Sequence, residues 1–228
     1  MHLPRPAPPT PPPRPSLSAA ARTCVVLAVL SAALLILVAV SFSPLISFDR
    51  TVADGLHHWA VHEPALTRVN RVLTDWVWDP WTMRALTAAA VIWLLRKREW
   101  LLAGWVAATS AVGSFLQQGL KSAVGRQRPH WLDPVDSAHY AAFPSGHAVT
   151  ATVTCGLLLW LLRRYGAEKW LWRLSVAAAA VSVAGVGFTR LYLGVHWPSD
   201  VLGGWLIGAC WVALSIAAYE RVVLNRER

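Results

Sequence analysis

Charged residues are scarce in this chain of 228 residues: Asp, Glu, Lys and Arg make up 14% of it, whereas 55% of the residues are hydrophobic. Soluble globular domains carry about a quarter charged residues. The low charge content therefore disfavours a soluble protein. It predicts an integral protein of the cell membrane, made of one domain that crosses the bilayer several times.

Cysteine is rare as well, and its distribution excludes two kinds of site. Cys24, Cys155 and Cys210 lie singly within apolar stretches, without any paired spacing. Such a pattern forms neither a disulfide framework nor a zinc site. We interpret all three as small residues of the core.

Acidic residues are outnumbered: 12 Asp and Glu stand against 21 Lys and Arg, which gives a formal net charge of +9. In a soluble protein this excess would suggest a nucleic-acid partner. Here most cations flank apolar segments, where Lys and Arg set the orientation of a membrane protein. We therefore expect the lipid bilayer as a partner, and no nucleic acid.

Six apolar segments are candidates for membrane-spanning helices. They cover residues 23–42, 77–95, 100–120, 146–162, 174–189 and 201–219. The second is the least regular, because Asp79, Pro80 and Arg84 interrupt it. Six spans place most cations on one side, and the positive-inside rule assigns that side and both termini to the cytoplasm. The predicted fold is an all-α polytopic membrane bundle of six transmembrane helices.

The stretch between the first two segments, residues 43–76, is long for a connection. Its apolar residues recur at helical spacing, which predicts one or two short amphipathic helices on the membrane surface. His57, His58 and His62 also lie in this stretch. We interpret them as solvated surface residues rather than as a metal site.

The two ends of the chain differ from the membrane domain, which we assign to residues 22–220. Residues 1–21 contain most of the chain's proline and predict a disordered cytoplasmic tail. Residues 221–228 predict a short basic cytoplasmic tail.

Three short motifs lie at the ends of apolar segments, and six spans would put all of them on the outer side. Their residues are Lys121, Arg128 and Pro129; Pro144, Ser145, Gly146 and His147; and Arg190, His196 and Asp200. Together they supply three permanent cations, two imidazoles and a carboxylate. This set is suited to binding a phosphate and attacking it.

The phosphate-binding part follows from residue type. A phosphate ester needs its negative oxygens neutralised before a nucleophile can approach. Arg128 and Arg190 could each bind two oxygens through the planar guanidinium, and Lys121 would add a point charge. Ser145 is a natural N-cap, Gly146 allows close backbone approach, and a helix N-terminus attracts phosphate. The alternative is that the three cations extend to lipid headgroups.

The attacking part rests on His196 and Asp200, which are four residues apart. On a helix both would lie on one face, within reach of a carboxylate–imidazole hydrogen bond. This bond would fix the tautomer and make the other ring nitrogen a better nucleophile. The alternative is that Asp200 caps the last segment and that His196 is unrelated to it. His147 could likewise be a capping or interfacial residue.

With these residues the chain resembles the type 2 phosphatidic acid phosphatase family of integral membrane lipid phosphatases. The family pattern is KxxxxxxRP, PSGH and SRxxxxxHxxxD, and the three motifs match it in order. One departure is Thr189, where the family has Ser. Thr keeps the hydroxyl donor, so we expect its role to persist. The motifs span residues 121–200, and the six-span layout extends the resemblance to about residues 23–220, without the proline-rich tail.

The resemblance implies a phosphatase domain that needs no metal or other cofactor. His196 is expected to attack phosphorus and form a phosphohistidine, with Asp200 orienting its ring. His147 is expected to protonate the leaving oxygen and then to assist water. The phosphoryl oxygens are expected to be held by Lys121, Arg128, Ser145, Gly146 and Arg190.

The sequence leaves the substrate and two other functions open. The candidate substrates are phosphatidylglycerophosphate, phosphatidic acid and undecaprenyl pyrophosphate, which all have a phosphate at headgroup level. The sequence does not indicate the oligomeric state. The family also resembles vanadium haloperoxidases at these motifs, although the spanning segments argue against that activity. A protein that binds or transports lipid phosphates without turnover is the third reading, although binding alone needs no nucleophile.

Overall fold

The computed structural model describes residues 19–226, and they contain helices but no strand. The all-α prediction is therefore confirmed for this part of the chain. The elements are α1 (Ala19–Ala39), α2 (Ser43–His62), α3 (Pro64–Val72), a π-helical turn (Leu73–Val77), α4 (Pro80–Arg96), α5 (Trp100–Val124), α6 (Gly146–Arg164), α7 (Lys169–Tyr192) and α8 (Pro198–Arg226).

Four helices are long and apolar enough to cross a membrane, by length and composition. They are Ala21–Ala39 in α1, Gly146–Arg164 in α6, Lys169–Tyr192 in α7 and Pro198–Asn225 in α8. Helix α4 has only 17 residues, and α5 carries polar side chains such as Thr109 and Gln117 on its buried face. The prediction of a membrane protein is thus supported, and four of its six predicted spans meet these criteria.

The core of the bundle surrounds α6, which contacts α4, α5, α7 and α8. One core cluster includes Leu94, Leu157 and Tyr219 and extends to Val149, two residues after the second motif. A second cluster contains Phe143, directly before the second motif. Helix α1 packs on α8 at the side of the bundle. The start of α6 is therefore enclosed by other helices.

Proline and glycine set many of the helix boundaries. Pro44, Pro64 and Pro80 stand in the first turns of α2, α3 and α4, and α8 begins at Pro198. Proline suits this position because its missing N–H would have no partner in the first turn. Gly125, with φ +59°, ends α5 in the left-handed conformation. Helix α4, which corresponds to the second predicted span, accordingly begins at Pro80, three residues later than expected.

The connection after α1 is helical, as predicted, but it does not simply lie on the surface. Helix α2 contacts α7 and α8, and buries Asp49, Ala53, His57 and Ala60 against the bundle. The interpretation of His57 as a solvated residue is therefore wrong. Its ring stacks on Trp131 with centroids 3.9 Å apart.

The terminal segments differ slightly from the predicted boundaries. Helix α1 begins at Ala19, so the last three residues of the predicted N-terminal tail belong to a helix, and the rest of that tail lies outside the described residues. Helix α8 continues to Arg226, so most of the predicted basic C-terminal tail is helical.

Glycine lets α8 approach α6 closely near the motifs. A Cβ atom at Gly204 would lie 2.7 Å from the Cβ of Ala148 and 2.9 Å from the carbonyl oxygen of Ser145. One turn later, a Cβ atom at Gly208 would lie 3.0 Å from the Cβ of Thr152. The close packing holds the N-terminal ends of both helices together, and Ser145 N–H donates to the carbonyl of Asp200 at 2.9 Å.

We therefore expect Gly204→Ala to destabilise the protein although alanine favours helices. Forcing a methyl group into this contact should lower the free energy of unfolding by about 1–3 kcal/mol. Gly104→Ala is the matched control, because a Cβ atom there meets nothing within 4 Å. It should gain stability from its helix propensity. Thermal unfolding in detergent, followed by circular dichroism, measures both; a Gly204 variant at least as stable as the Gly104 variant would contradict the close contact.

Candidate active site

Four helix ends bring the three motifs together. Lys121 lies in the last turn of α5 and Arg190 in the last turn of α7, while His147 and Asp200 lie in the first turns of α6 and α8. Arg128 belongs to the α5–α6 loop, residues 125–145. The three motifs therefore lie together at one end of the bundle.

His196 and Asp200 form a buried pair, with side chains 2% and 0% exposed. Nδ1 of His196 lies 3.4 Å from Oδ2 of Asp200. Because α8 begins only at Pro198, the histidine precedes the helix rather than sharing its face. The backbone N–H of Trp197 donates to the same carboxylate oxygen at 2.8 Å. Nδ1–H facing the carboxylate leaves Nε2 with the lone pair that a nucleophile needs.

Cations surround the other side of the His196 ring. Nη1 of Arg128 lies 3.1 Å from Nε2. Burial is the main cause that lowers the pKa of His196 well below its usual value, and Arg128, Arg190 and Lys121 lower it further. The imidazole is therefore neutral, which is the form able to attack phosphorus.

The α5–α6 loop fixes the position of the Arg128 guanidinium. The guanidinium donates to the backbone carbonyls of two loop residues, Tyr140 at 2.9 Å and His139 at 3.0 Å, and to that of Val195, which follows α7, at 2.5 Å. Burial lowers the pKa of Arg128, while the carboxylate of Asp200 acts in the opposite direction. An arginine remains charged under such a shift. Arg128 therefore places a positive charge in a fixed position beside Nε2 of His196.

Lys121 and Arg190 are the other two predicted phosphate ligands, and both are buried. Nζ of Lys121 donates to the carbonyl of Ala141. Nη1 of Arg190 donates to Oγ1 of Thr74 at 3.3 Å and lies 3.8 Å from a carboxylate oxygen of Asp136. Neither extends away from the bundle, which contradicts the alternative that they reach lipid headgroups.

The second motif opens α6, but Ser145 does not cap it. Ser145 directly precedes the helix, yet its side chain makes no capping hydrogen bond. Its Oγ and the Nε of Arg190 are buried and have no hydrogen-bond partner among the residues that the structure describes. A buried donor without a partner costs free energy. Both groups therefore fit an anion that accepts their hydrogen bonds, next to the N–H groups of the first turn that includes Gly146 and His147.

Two further motif residues behave as their types suggest. The ring of His147 is half-buried and within electrostatic range of Arg190, His196, Arg128 and Lys121. Thr189 is buried, and its hydroxyl donates to the carbonyl of Val186 at 2.9 Å. The hydroxyl donor that threonine retains is thus used within α7.

Arg126 and Asp49 are part of the site, and the sequence analysis missed both. Arg126 donates from Nη1 to Oδ1 of Asp200 at 2.6 Å and from Nη2 to Oδ2 of Asp49 at 2.7 Å. The available signal was the spacing of Arg126 between Lys121 and Arg128. The sequence gives no signal for Asp49, because it lies in a stretch that was predicted to lie on the membrane surface and that contains no motif.

Within residues 19–226, no group of three or more His, Cys, Asp or Glu side chains is arranged to hold a metal ion. His58 and His62 lie near each other, with ring centroids 4.3 Å apart, but His57 turns away towards Trp131 and Asp133.

Comparison with known proteins agrees with this arrangement. A family model described as the PAP2 superfamily matches residues 100–223, which include all three motifs. The undecaprenyl-diphosphatase of Sulfolobus acidocaldarius is 40% identical over 72 residues, or 32% of this chain and 30% of that protein. The lipid A 1-phosphatase of Rhizobium etli is 31% identical over 138 residues, or 55% of each. The chain thus spans about half or less of the lengths of these two relatives.

A solved structure shares the fold. It is the crystal structure of a transmembrane PAP2 type phosphatidylglycerolphosphate phosphatase from Bacillus subtilis, with a TM-score of 0.77. The alignment covers 88% of this chain and 97% of that one, at 22% sequence identity. The likeness therefore extends to the helices that precede the residues matched by the family model.

Ser145→Ala should separate stability from anion binding. We expect a thermal midpoint close to that of the unaltered protein, because the lost hydroxyl has no partner in the fold. Affinity for vanadate, a phosphate analogue, should fall by about tenfold, which corresponds to about 1.4 kcal/mol for one hydrogen bond to an anion. Ser137→Ala, at an exposed serine of the α5–α6 loop, is the control. Vanadate binding equal in both variants would remove Ser145 from the site.

Proposed function

The chain belongs to the PAP2 superfamily, whose model covers more than half of it, and on this premise we propose that the protein is an integral membrane phosphatase of lipid phosphates. The reaction would be hydrolysis of a phosphomonoester or of a pyrophosphate. The observation that carries the proposal is the His196–Asp200 pair: a buried, neutral imidazole with one ring nitrogen held by a carboxylate and the other facing Arg128.

In the first step, the lone pair of His196 Nε2 attacks phosphorus. The N–P bond forms as the bond from phosphorus to the leaving oxygen breaks, which gives a phosphohistidine and the dephosphorylated lipid. Asp200 stabilises the positive charge that develops on the ring. His147 stands in the first turn of α6 on the same side of the bundle. The negative charge of the bound phosphate keeps it protonated against the nearby cations, and it gives this proton to the leaving oxygen and becomes neutral.

In the second step, water attacks the phosphohistidine. His147, now neutral, accepts a proton from the water, the N–P bond breaks, and inorganic phosphate leaves with His196 restored. Lys121, Arg128 and Arg190 stabilise the negative oxygens in both steps, together with Ser145 and the backbone at Gly146. These residues are fixed before substrate binds, because the loop carbonyls and α-helix ends hold them.

The active site would lie on the extracytoplasmic face, with both termini in the cytoplasm. This requires α4 and α5 to span the membrane in addition to the four helices named above. Their support is the turn between them, Arg96-Lys97-Arg98, whose charge suits the cytoplasmic side. Buried packing of α4 and α5 against α6 allows them to be less apolar than spans that face lipid.

The proposed substrates are those left open by the sequence: phosphatidylglycerophosphate, phosphatidic acid and undecaprenyl pyrophosphate. The names of the relatives extend across a diphosphate and a phosphorylated lipid A. All of them place a phosphate at the membrane surface while the lipid chains stay in the bilayer. The helix-end position of the motifs supports this class rather than one member of it.

Phosphate release from the purified protein tests the proposal. The three lipids and a water-soluble phosphate ester are assayed in detergent with a chelator present. We expect release from at least one lipid, and His196→Ala should reduce it by on the order of 10³-fold or more. His58→Ala, which removes an exposed histidine of α2, is the matched control. No release from any lipid, or release unaffected by the loss of His196, would overturn the proposal; bromide oxidation with vanadate would favour the haloperoxidase reading.

Topology is tested by cysteine labelling in a background with Cys24, Cys155 and Cys210 replaced. Ser137→Cys, in the α5–α6 loop, should react with an impermeant thiol reagent in intact cells. Glu168→Cys, at the start of α7 on the opposite side, should react only after the membrane is opened. The reverse pattern would place the active site in the cytoplasm.

A further inference from the structure

Arg126 bridges two buried carboxylates that come from distant parts of the chain. Its side chain is 11% exposed, whereas Asp49 of α2 is 1% exposed and Asp200 of α8 is 0% exposed. The guanidinium lies 2.7 Å from the first carboxylate and 2.6 Å from the second, with a different terminal nitrogen directed to each. It is therefore the central member of a carboxylate–guanidinium–carboxylate chain.

Asp49 joins this chain to the start of α8 by further bonds. Its Oδ1 accepts from the backbone N–H of Ser199 at 2.9 Å, and its Oδ2 accepts from the Ser199 hydroxyl at 2.5 Å. Arg126 also donates to that hydroxyl at 2.7 Å. Helix α2 is consequently attached to the residue next to Asp200.

The bridge determines which oxygen of Asp200 meets the nucleophile. Arg126 occupies Oδ1, and the N–H of Trp197 donates to Oδ2. Rotation of the carboxylate would break both bonds. Oδ2 is thereby held beside Nδ1 of His196, and the other ring nitrogen faces Arg128.

We propose that Arg126, held by Asp49, is a positioning residue of the reaction, which fixes the Asp200 carboxylate behind His196 and connects helix α2 to the active site. The inference rests on the proposed function, because the nucleophile that it positions is the same. Arg126 is not assigned as a phosphate ligand, although it lies in the first motif between Lys121 and Arg128. Both terminal nitrogens are bonded to carboxylates.

Stability alone accounts poorly for such a bridge. Burying three ionised groups carries a desolvation cost that mutual attraction often only offsets, and apolar residues can replace buried ion pairs without loss. A fixed carboxylate behind the attacking histidine, in contrast, acts on the rate, as outer groups that orient ligands do at other sites.

Loss of Arg126 and loss of Asp49 should shift the pH profile in opposite directions, because the two residues carry opposite charges. The charged and titratable groups around the His196 ring are Asp200 of α8, Lys121 of α5, Arg128 of the α5–α6 loop, Arg190 of α7 and His147 of α6. Arg126 and Asp49 act on this ring through Asp200. Arg126→Ala removes a cation, so protonation of His196 becomes easier and the acid limb of kcat/KM moves to higher pH. Asp49→Asn removes an anion, so the positive charge of Arg126 is no longer shared with a second carboxylate. Protonation of His196 then becomes harder, and the acid limb moves to lower pH.

The expected shifts are on the order of half a pH unit, in opposite directions. Because neither residue touches substrate, kcat should fall by on the order of 10- to 100-fold with KM nearly unchanged. The double variant D49N/R126Q leaves the net charge unaltered, so its acid limb should return towards that of the unaltered protein while kcat stays low. A merely structural role predicts neither the opposite signs nor this return.

Chemical rescue adds a second readout. Arg126 lines a polar cavity of about 790 Å³ whose other lining residues include the exposed Arg50, Gln127 and His130. Millimolar guanidinium can therefore reach the space left by Arg126→Ala, and we expect it to restore a large part of kcat. Urea at the same concentration, and His196→Ala with guanidinium, should show no recovery.

The outcomes distinguish this inference from the proposed function. An unaltered protein that releases no phosphate defeats the proposed function, and the inference is then decided by NMR titration of the ¹⁵N-labelled His196 ring in the same variants. An active protein whose two single variants shift the acid limb in the same direction, or whose Arg126→Ala variant gains nothing from guanidinium, overturns the inference alone. Ring titrations that move in the same direction overturn it equally.

Discussion

Hydrogen bonds to one buried residue, Asp200, hold the three motifs in a common geometry. Its side chain accepts from Arg126, within the first motif, and faces His196 in the third, while its backbone carbonyl accepts from Ser145 of the second. A buried carboxylate must be compensated by donors or it neutralises. The carboxylate accepts from Arg126 and from the backbone N–H of Trp197, and Ser145 donates to the backbone carbonyl of the same residue. The site therefore assembles only when the α5–α6 loop and the starts of α6 and α8 are packed together.

The opposite side of the site has an excess of positive charge. Lys121, Arg128 and Arg190 are all buried or half-buried. Lys121 and Arg128 donate to backbone carbonyls, whereas Arg190 donates to the hydroxyl of Thr74 and lies 3.8 Å from a carboxylate oxygen of Asp136. Carbonyl oxygens orient a cation without cancelling its charge. In the proposed reaction, a dianionic phosphoryl group would supply the negative charge that these three cations lack in a region of low dielectric constant.

The helices and the position of the motifs could be predicted from the sequence, whereas the side chains that hold the motif residues in place could not. Motifs at the ends of apolar segments, such as Lys121 and Arg190, are where the spacing placed them, because segment length and apolar content are local properties. The burial of Asp49 and His57 was missed, because a periodic pattern shows that one face of a helix packs but not what it packs against. The Asp49–Arg126–Asp200 bridge joins positions far apart in sequence, and only tertiary structure reveals it. Ser145 stands where an N-cap is expected, yet its hydroxyl is not used for capping.

A phosphoryl group is common to every candidate substrate, so the residues that bind it cannot select among them. Selection has to come from side chains that border the site without binding phosphoryl oxygens. Helix α2 and the α5–α6 loop supply such a border, since Asp54, Gln127 and His130 line the polar cavity next to Arg128. The same two elements hold Arg126 and Asp49. Substitutions in α2 or in the α5–α6 loop that change the preferred lipid must therefore preserve the Asp49–Arg126–Asp200 bridge. Substrate preference and catalysis consequently cannot vary independently in this fold.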